Sequence, residues 1–433
     1  MNQRETLSNN NGFLQIGGVL CKDLANQYGT PLYVMDQDYI EKMCTIFQQT
    51  LNDNYGDGLI CYASKAFSCK EIYRLINNVG IGADTVSGGE IYTANSVGFP
   101  MEKVCFHGNN KTKGELEYAT QLGVGYIVID SFTEADVLNE ICAQKGVKQN
   151  VLIRINPGVE AHTHHFIQTA NVDSKFGFSI QNGQAEQIVC YVKDKKNINL
   201  VGLHCHIGSQ IFETKSFMIA VDKMTDFYKL LKDKYSLEFD VLNLGGGFGI
   251  YYSKGDEMKT YNDYADYIVC ISNALKDALK KKNLKKPYLI LEPGRSIVGE
   301  AGITLYTAGQ IKRIPEIKNY IAIDGGMFDN PRFALYQAKY TVLSANKLNE
   351  EKTEKYTIAG KCCESGDIIA EDVMLPKTNV GDLIAVLSTG AYNYSMASNY
   401  NRNLIPPVVF VKDGKSKLAV KKQTYEDLVR NDV

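Results

Sequence analysis

The chain has 433 residues, 44% of them hydrophobic and 22% charged, an ordinary globular composition that excludes collagen-like, coiled-coil and disordered classes. Lys plus Arg number 47 and Asp plus Glu 49, so a net charge of −2 provides neither a basic field for nucleic acid nor an acidic tail. No apolar run approaches the roughly 20 residues that span a bilayer, and the polar start lacks the basic-then-apolar pattern of a signal peptide. Eleven cysteines, an odd number with no CxxC pair, point to free thiols in a reducing, cytoplasmic setting.

Residues 13–16 and 32–35 read as strands. Eight short apolar runs follow, with helical segments between them: 59–64, 81–86, 103–107, 126–130, 151–156, 200–207, 241–244 and 288–291. The connecting segments carry the helical period, as in Ile72, Leu75 and Ile76, or Ile271, Leu275 and Leu279. Ser87-Gly88-Gly89-Glu90 reads as a capping box that opens a helix. Apolar strands alternating with helices imply buried parallel pairing, and eight such units imply an α/β fold, a (β/α)8 TIM-type barrel over 38–299. A doubly wound sheet is the alternative. The five lysines of 280–286 read as a solvated helix end. After about residue 300 short β-rich runs follow one another at 320–323, 341–343, 355–358, 382–386 and 408–411. They predict a mainly antiparallel β domain formed by 1–37 and 300–433.

Polar residues gather at the ends of the eight runs: Lys65, Asp84, His107, Asp130, Arg154 with Asn156, His204 with His206, the glycines 245–247, and Glu292 with Arg295. Barrel enzymes place their chemistry at these strand ends. A lysine at the mouth of an apolar strand is suited to forming a Schiff base, although Lys65 taken alone reads better as a snorkelling surface lysine. Gly245-Gly246-Gly247-Phe248-Gly249 lets backbone N–H groups approach a phosphate, at the strand where barrels favour such sites. Glu292-Pro293-Gly294-Arg295 adds a carboxylate able to hold a protonated ring nitrogen and a fixed cation. Amine, phosphate cradle and ring-nitrogen partner are the parts that pyridoxal 5′-phosphate requires.

Strand alternation places His204 and His206 on one face. Five of the six histidines lie at 162, 164, 165, 204 and 206. A metal site is therefore an alternative reading, against which stands the lack of HExxH and of a cysteine–histidine ligand set. The expectation is no metal. Cys362-Cys363-Glu364-Ser365-Gly366-Asp367 sets a thiol beside carboxylates, either as simple packing or as a proton donor.

The run Cys61-Tyr62-Ala63-Ser64-Lys65-Ala66, the segment from Gly202 to Gln210 containing His204-Cys205-His206, the 245–249 glycines, Glu292-Pro293-Gly294-Arg295 and Cys363-Glu364-Ser365-Gly366-Asp367 resemble the diaminopimelate decarboxylase family. That family belongs to the alanine racemase-like, fold type III, pyridoxal phosphate-dependent decarboxylases. The resemblance covers roughly residues 30 to 402. It implies decarboxylation of meso-2,6-diaminopimelate to L-lysine and CO2, the last step of lysine biosynthesis, by a cytoplasmic homodimer with active sites shared across the interface.

By the same resemblance, Lys65 would bond to the cofactor and His206 would stack on its ring. Glu292 would pair with the ring nitrogen. Ser209, Gly246, Gly247, Gly294, Arg295 and Tyr392 would complete the cofactor site. Arg295, Arg332, Tyr336 and Tyr392 would bind substrate, with Glu364 toward its distal amine. Cys363 would be the candidate acid, reaching in with Glu364 from the partner subunit. The segment Pro331 to Tyr336 resembles the family's carboxylate-binding segment, with Phe333 where proline is common. The alternative substrates on this fold are ornithine, arginine or carboxynorspermidine. An arginine pair suits a second carboxylate, which ornithine and arginine lack. A racemase would carry arginine at the ring nitrogen instead of Glu292. His162, His164 and His165 remain without a role; a loop over the active-site mouth is one reading.

Overall fold

The computed structural model describes residues 7–159 and 174–433. Two compact units emerge, one of Met43–Ile250 with Lys259–Ser296, the other of Met1–Lys42, Tyr251–Met258 and Ile297–Val433.

In the first unit eight strands run parallel: β1 (Gly58–Ala63), β2 (Gly82–Thr85), β3 (Val104–Phe106), β4 (Tyr126–Ile129), β5 (Gln149–Asn156), β6 (Ile198–His204), β7 (Val241–Asn243) and β8 (Tyr288–Leu291). Each pairs with the next, and β8 pairs back onto β1, with Ile290 opposite Leu59, so the sheet closes. A closed parallel sheet is buried on both faces, which is why these strands are apolar throughout. Cys61, Cys105, Val128, Leu152, Val241 and Ile290 form one buried cluster from six of the strands, a packed filling of the kind such barrels require.

The helices of this unit follow their sequence signals. Thr112 and Glu115 form a reciprocal capping box at the start of Lys113–Leu122, and Thr260 with Asp263 does the same for Tyr261–Lys282. The box expected at 87–90 forms only in half. Ser87 accepts from Glu90 N, but the Glu90 carboxylate turns away to Val86 N and Ser64 Oγ, each at 2.7 Å. A buried serine beside the strand end outcompetes the cap for that carboxylate.

The second unit is a β structure organised on one long strand, Gly302–Ile314. It pairs antiparallel with Leu32–Asp36, Lys318–Ile323 and Leu383–Leu387. Leu14, Leu24, Leu32, Val34, Ile303, Leu305, Ala385 and Val409 are among the residues of its core. The expectation of mainly antiparallel pairing needs one qualification. Val408–Lys412 runs parallel to Leu32–Asp36, and Glu354–Ala359 runs parallel to Lys318–Ile323. Neither pair is joined by a tight turn, so no hairpin fixes their relative direction.

Candidate active site

Strand β1 ends at Ala63, and the next three residues, Ser64–Ala66, form a 3-10 turn that exposes Lys65 between two buried neighbours. Ser64 Oγ lies 2.7 Å from both Asp84 O and Glu90 Oε2, which ties the turn to the end of β2 and to the helix after it. Gly294 packs on the same turn. A Cβ there would stand 2.8 Å from Ala63 O and 3.3 Å from Ala66 Cβ, so only glycine lets the segment after β8 approach.

Glu292, just past β8, is the most heavily coordinated acid at this end of the barrel. Its Oε1 lies 2.7 Å from His107 Nε2 and accepts from Asn243 Nδ2 at 2.6 Å, while Oε2 lies 3.3 Å from His204 Nε2. Asn243 Oδ1 accepts Gly245 N–H at 2.8 Å, so its amide group must face the carboxylate. Burial by itself raises the Glu292 carboxyl, but His107 and His204 beside it hold it well below the usual carboxylate range. Burial pushes the His204 imidazole down to about 3, so that ring is neutral at physiological pH. The His107 and His204 rings meet edge to face at 4.6 Å between centroids. Donor atoms of His107, His204 and Glu292 lie within 4.8 Å of one another, close enough to share a cation. The Asn243 amide aims its hydrogens at the same carboxylate, which is the environment of an anion rather than of a metal ligand.

The loops after β6, β7 and β8 converge. Glu292 N donates to Gly245 O at 2.8 Å, Ile211 N to Gly247 O at 2.9 Å, and Gly249 N to Ile211 O at 2.9 Å. A Cβ at Gly246 would stand 2.1 Å from Glu292 O, and one at Gly247, whose φ is +120°, would stand 2.2 Å from Gly208 O. The glycine run is thus required by backbone meeting backbone. Arg295 is buried and donates from Nη2 to Ser209 Oγ at 2.9 Å. β6 ends at His204, so His206 lies two residues past the end of the paired strand. His206 is half-buried, and burial and the nearby Lys65 cation lower its imidazole well below the ordinary range.

Lys65, His206, Ser209, Gly246, Gly247, Glu292, Gly294 and Arg295 therefore gather at one end of the barrel. The other expected residues belong to the β unit. Arg332 opens the short helix Arg332–Tyr336, donates to Tyr340 Oη at 2.6 Å, and is surrounded by the rings of Tyr252, Tyr340 and Tyr392 at 5.0, 5.7 and 5.9 Å. Tyr392 is half-buried with φ +64°, and Tyr336 is exposed. Cys363 and Glu364 are exposed on a turn braced by the buried Asp367, which accepts from Met327 N at 2.6 Å and Cys362 N at 2.7 Å. Of the eleven cysteines, only Cys363 is exposed. His162, His164 and His165 lie outside the described residues.

Sequence reading missed Asn243 as a partner of Glu292, and the tyrosines 252 and 340 around Arg332. It also missed Lys111, whose ammonium is buried against Glu134 Oε1 at 2.6 Å, Val128 O at 2.6 Å and Gly108 O at 2.8 Å. Asn243 is the last residue of β7 and the one polar residue inside the seventh apolar run, and that was its available signal.

Residues 38–299 match the family model described as "Pyridoxal-dependent decarboxylase, pyridoxal binding domain". The chain is 48% identical to a diaminopimelate decarboxylase of Halalkalibacterium halodurans over 98% of its own length and 96% of that protein's. It also resembles the crystal structure of the diaminopimelate decarboxylase of M. jannaschii in complex with L-lysine, with a TM-score of 0.92 and 36% identity over 99% of this chain and 98% of that one. The Helicobacter pylori diaminopimelate decarboxylase complexed with L-lysine aligns with a TM-score of 0.85 and 31% identity, over 94% of this chain and 98% of the other. The chain belongs to the diaminopimelate decarboxylases of the pyridoxal-dependent decarboxylase family.

Proposed function

We propose that this family member removes one carboxylate of meso-2,6-diaminopimelate, yielding L-lysine and CO2, with pyridoxal 5′-phosphate as cofactor. The observation that carries the reading is that the Lys65 turn and a donor-ringed Glu292 carboxylate stand at the same end of a barrel of this family. These residues fit the cofactor. Lys65 offers a covalent anchor, Glu292 is an acceptor suited to a protonated ring nitrogen, and His206 offers a flat imidazole for the ring. Ser209, Gly246, Gly247, Gly294, Arg295 and Tyr392 are assigned to its polar contacts. When bound, the cofactor supplies an electron sink for the pair left on the α-carbon as CO2 departs.

The protein's own part is binding and proton handling. Glu292 keeps the proton on the ring nitrogen. Arg332, with Arg295, Tyr336 and Tyr392, is assigned to the carboxylate that is not lost, and its tyrosine surround supports a fixed rather than mobile guanidinium. Glu364 is assigned to the distal amine. Cys363, or Lys65, returns a proton to the α-carbon. We assign Cys363 and Glu364 to the active site of a second copy, making the enzyme a homodimer. The braced turn that carries the sole exposed thiol supports this. A cytoplasmic location is supported by eleven cysteines, none of them in a disulfide; among the described residues no helix is long and apolar enough to cross a membrane.

The direct test is Lys65→Ala with added pyridoxal 5′-phosphate. Turnover and the bound cofactor's visible absorbance band should both disappear. Full activity in that variant would overturn the assignment.

A further inference from the structure

Resting on the reading of Glu292 as the ring-nitrogen partner, we propose that His107, Asn243 and His204 are positioning residues. Together they form a buried cradle that makes Glu292 an acceptor only and decides which of its oxygens meets the cofactor. The geometry is specific. Asn243 cannot rotate its amide, because its oxygen is held by Gly245 N–H at 2.8 Å. Its nitrogen and His107 Nε2 both lie on Oε1, at 2.6 and 2.7 Å. Oε2 has its nearest imidazole nitrogen at 3.3 Å, on His204. Oε1 is thus occupied twice within the protein, and Oε2 is the oxygen with capacity for an outside N–H.

Asp84 Oδ1 stands 3.8 Å from the same His107 Nε2, beyond hydrogen-bond range. Asp84 and Arg154 are the other charged groups facing the cluster from β2 and β5, with Lys65 beyond the end of β1. His107, His204, Asn243 and Glu292 are all buried, so water cannot substitute for a deleted donor without entering the barrel. With Asn243 Nδ2 and His107 Nε2 both on Oε1 and His204 Nε2 beside Oε2, the carboxylate is set to receive a hydrogen bond rather than to donate one.

The test compares variants loaded with pyridoxal 5′-phosphate labelled with 15N in its ring, reading the ring-nitrogen chemical shift and the cofactor's dissociation constant. His107→Gln keeps an N–H donor and should stay within roughly threefold of the parent affinity with an unchanged shift. His107→Leu should weaken cofactor binding by about tenfold, the equivalent of one charge-assisted hydrogen bond, and move the shift toward the unprotonated ring. Asn243→Asp, which puts an acceptor against Oε1, should do so more strongly. If it does not fold, Asn243→Ala removes the same donor without adding charge. A merely structural role for these residues would lower thermal stability and leave the shift in place. The proposal is overturned if His107→Leu and the Asn243 variant keep the parent shift and affinity, or if His107→Gln is as damaging as His107→Leu. If the parent protein binds the cofactor with an unprotonated ring nitrogen, the reading of Glu292 fails first and takes this proposal with it.

Discussion

The Lys111–Glu134 pair offers the strongest stability test in the barrel. The two side chains are 1% and 5% exposed, and their charged atoms are 2.6 Å apart. Burial pushes the Lys111 ammonium down and the Glu134 carboxyl up, and each opposes the other's shift. Lys111 Nζ also donates to Gly108 O and Val128 O, and Glu134 Oε2 accepts from Asp130 N at 3.2 Å, so the pair clamps the loop after β3 to the end of β4. Lys111→Met strands a buried carboxylate and two carbonyls. Breaking a buried ion pair from one side costs about 3–5 kcal/mol. For a domain of this size each kcal/mol moves the midpoint by roughly 2–4 °C, so Tm should fall by roughly 6–20 °C. The assay is far-UV circular dichroism melting at fixed protein and cofactor concentration, compared by midpoint because the chain holds two units. The double variant Lys111→Met/Glu134→Leu removes both charges and should recover part of the loss. A single variant within 2 °C of the parent (about 1 kcal/mol or less), or a double variant worse than the single, would refute the reasoning.

Two further outcomes follow from the β unit. Burial raises the Asp329 carboxyl from 3.8 to about 8, although hydrogen bonds from Tyr306 Oη and Gly326 N oppose the shift. A carboxyl that holds its proton more tightly when folded favours the fold below its unfolded value and loses that contribution as pH rises through the folded one. Stability should therefore decline between pH 4 and 8 by a few kcal/mol, at about 1.4 kcal/mol per tenfold change in proton affinity. Asp329→Asn should flatten that decline in melts run across the same range, and an unchanged slope would exclude Asp329 as its source. Arg332→Leu should lower kcat/KM for diaminopimelate by about 10- to 150-fold, the loss of a hydrogen-bonded charge, with Arg332→Lys failing to restore it because the planar fork is lost. An unchanged KM would remove Arg332 from the substrate site.

Much of this organisation is written in local residue order, and the rest depends on closure. The eight barrel strands are visible because burial on both faces makes them continuous apolar runs. Lys65 and Glu292 are visible because each interrupts such a run at its end. The strand Gly302–Ile314 escaped reading because its second half is largely exposed, so it alternates toward polar residues such as Gln310, Lys312 and Arg313. The run read over 200–207 overshoots because no local signal marks where β6 stops, one residue past Leu203. The contacts of Glu292 with His107 and Asn243 span 185 and 49 residues, and they exist only once the sheet has closed. The tyrosines around Arg332 come from positions 252, 340 and 392 and form no motif.

The central claim is the reaction itself. The most direct measurement is CO2 release by the purified chain with added pyridoxal 5′-phosphate, offering meso-diaminopimelate, ornithine and arginine in parallel and identifying the amine product. The proposed reaction predicts release from diaminopimelate with L-lysine as product and none from the other two. Release from ornithine or arginine alone would contradict it, leaving the cofactor chemistry in place and overturning the assignment of Arg295 and Arg332 to a second carboxylate.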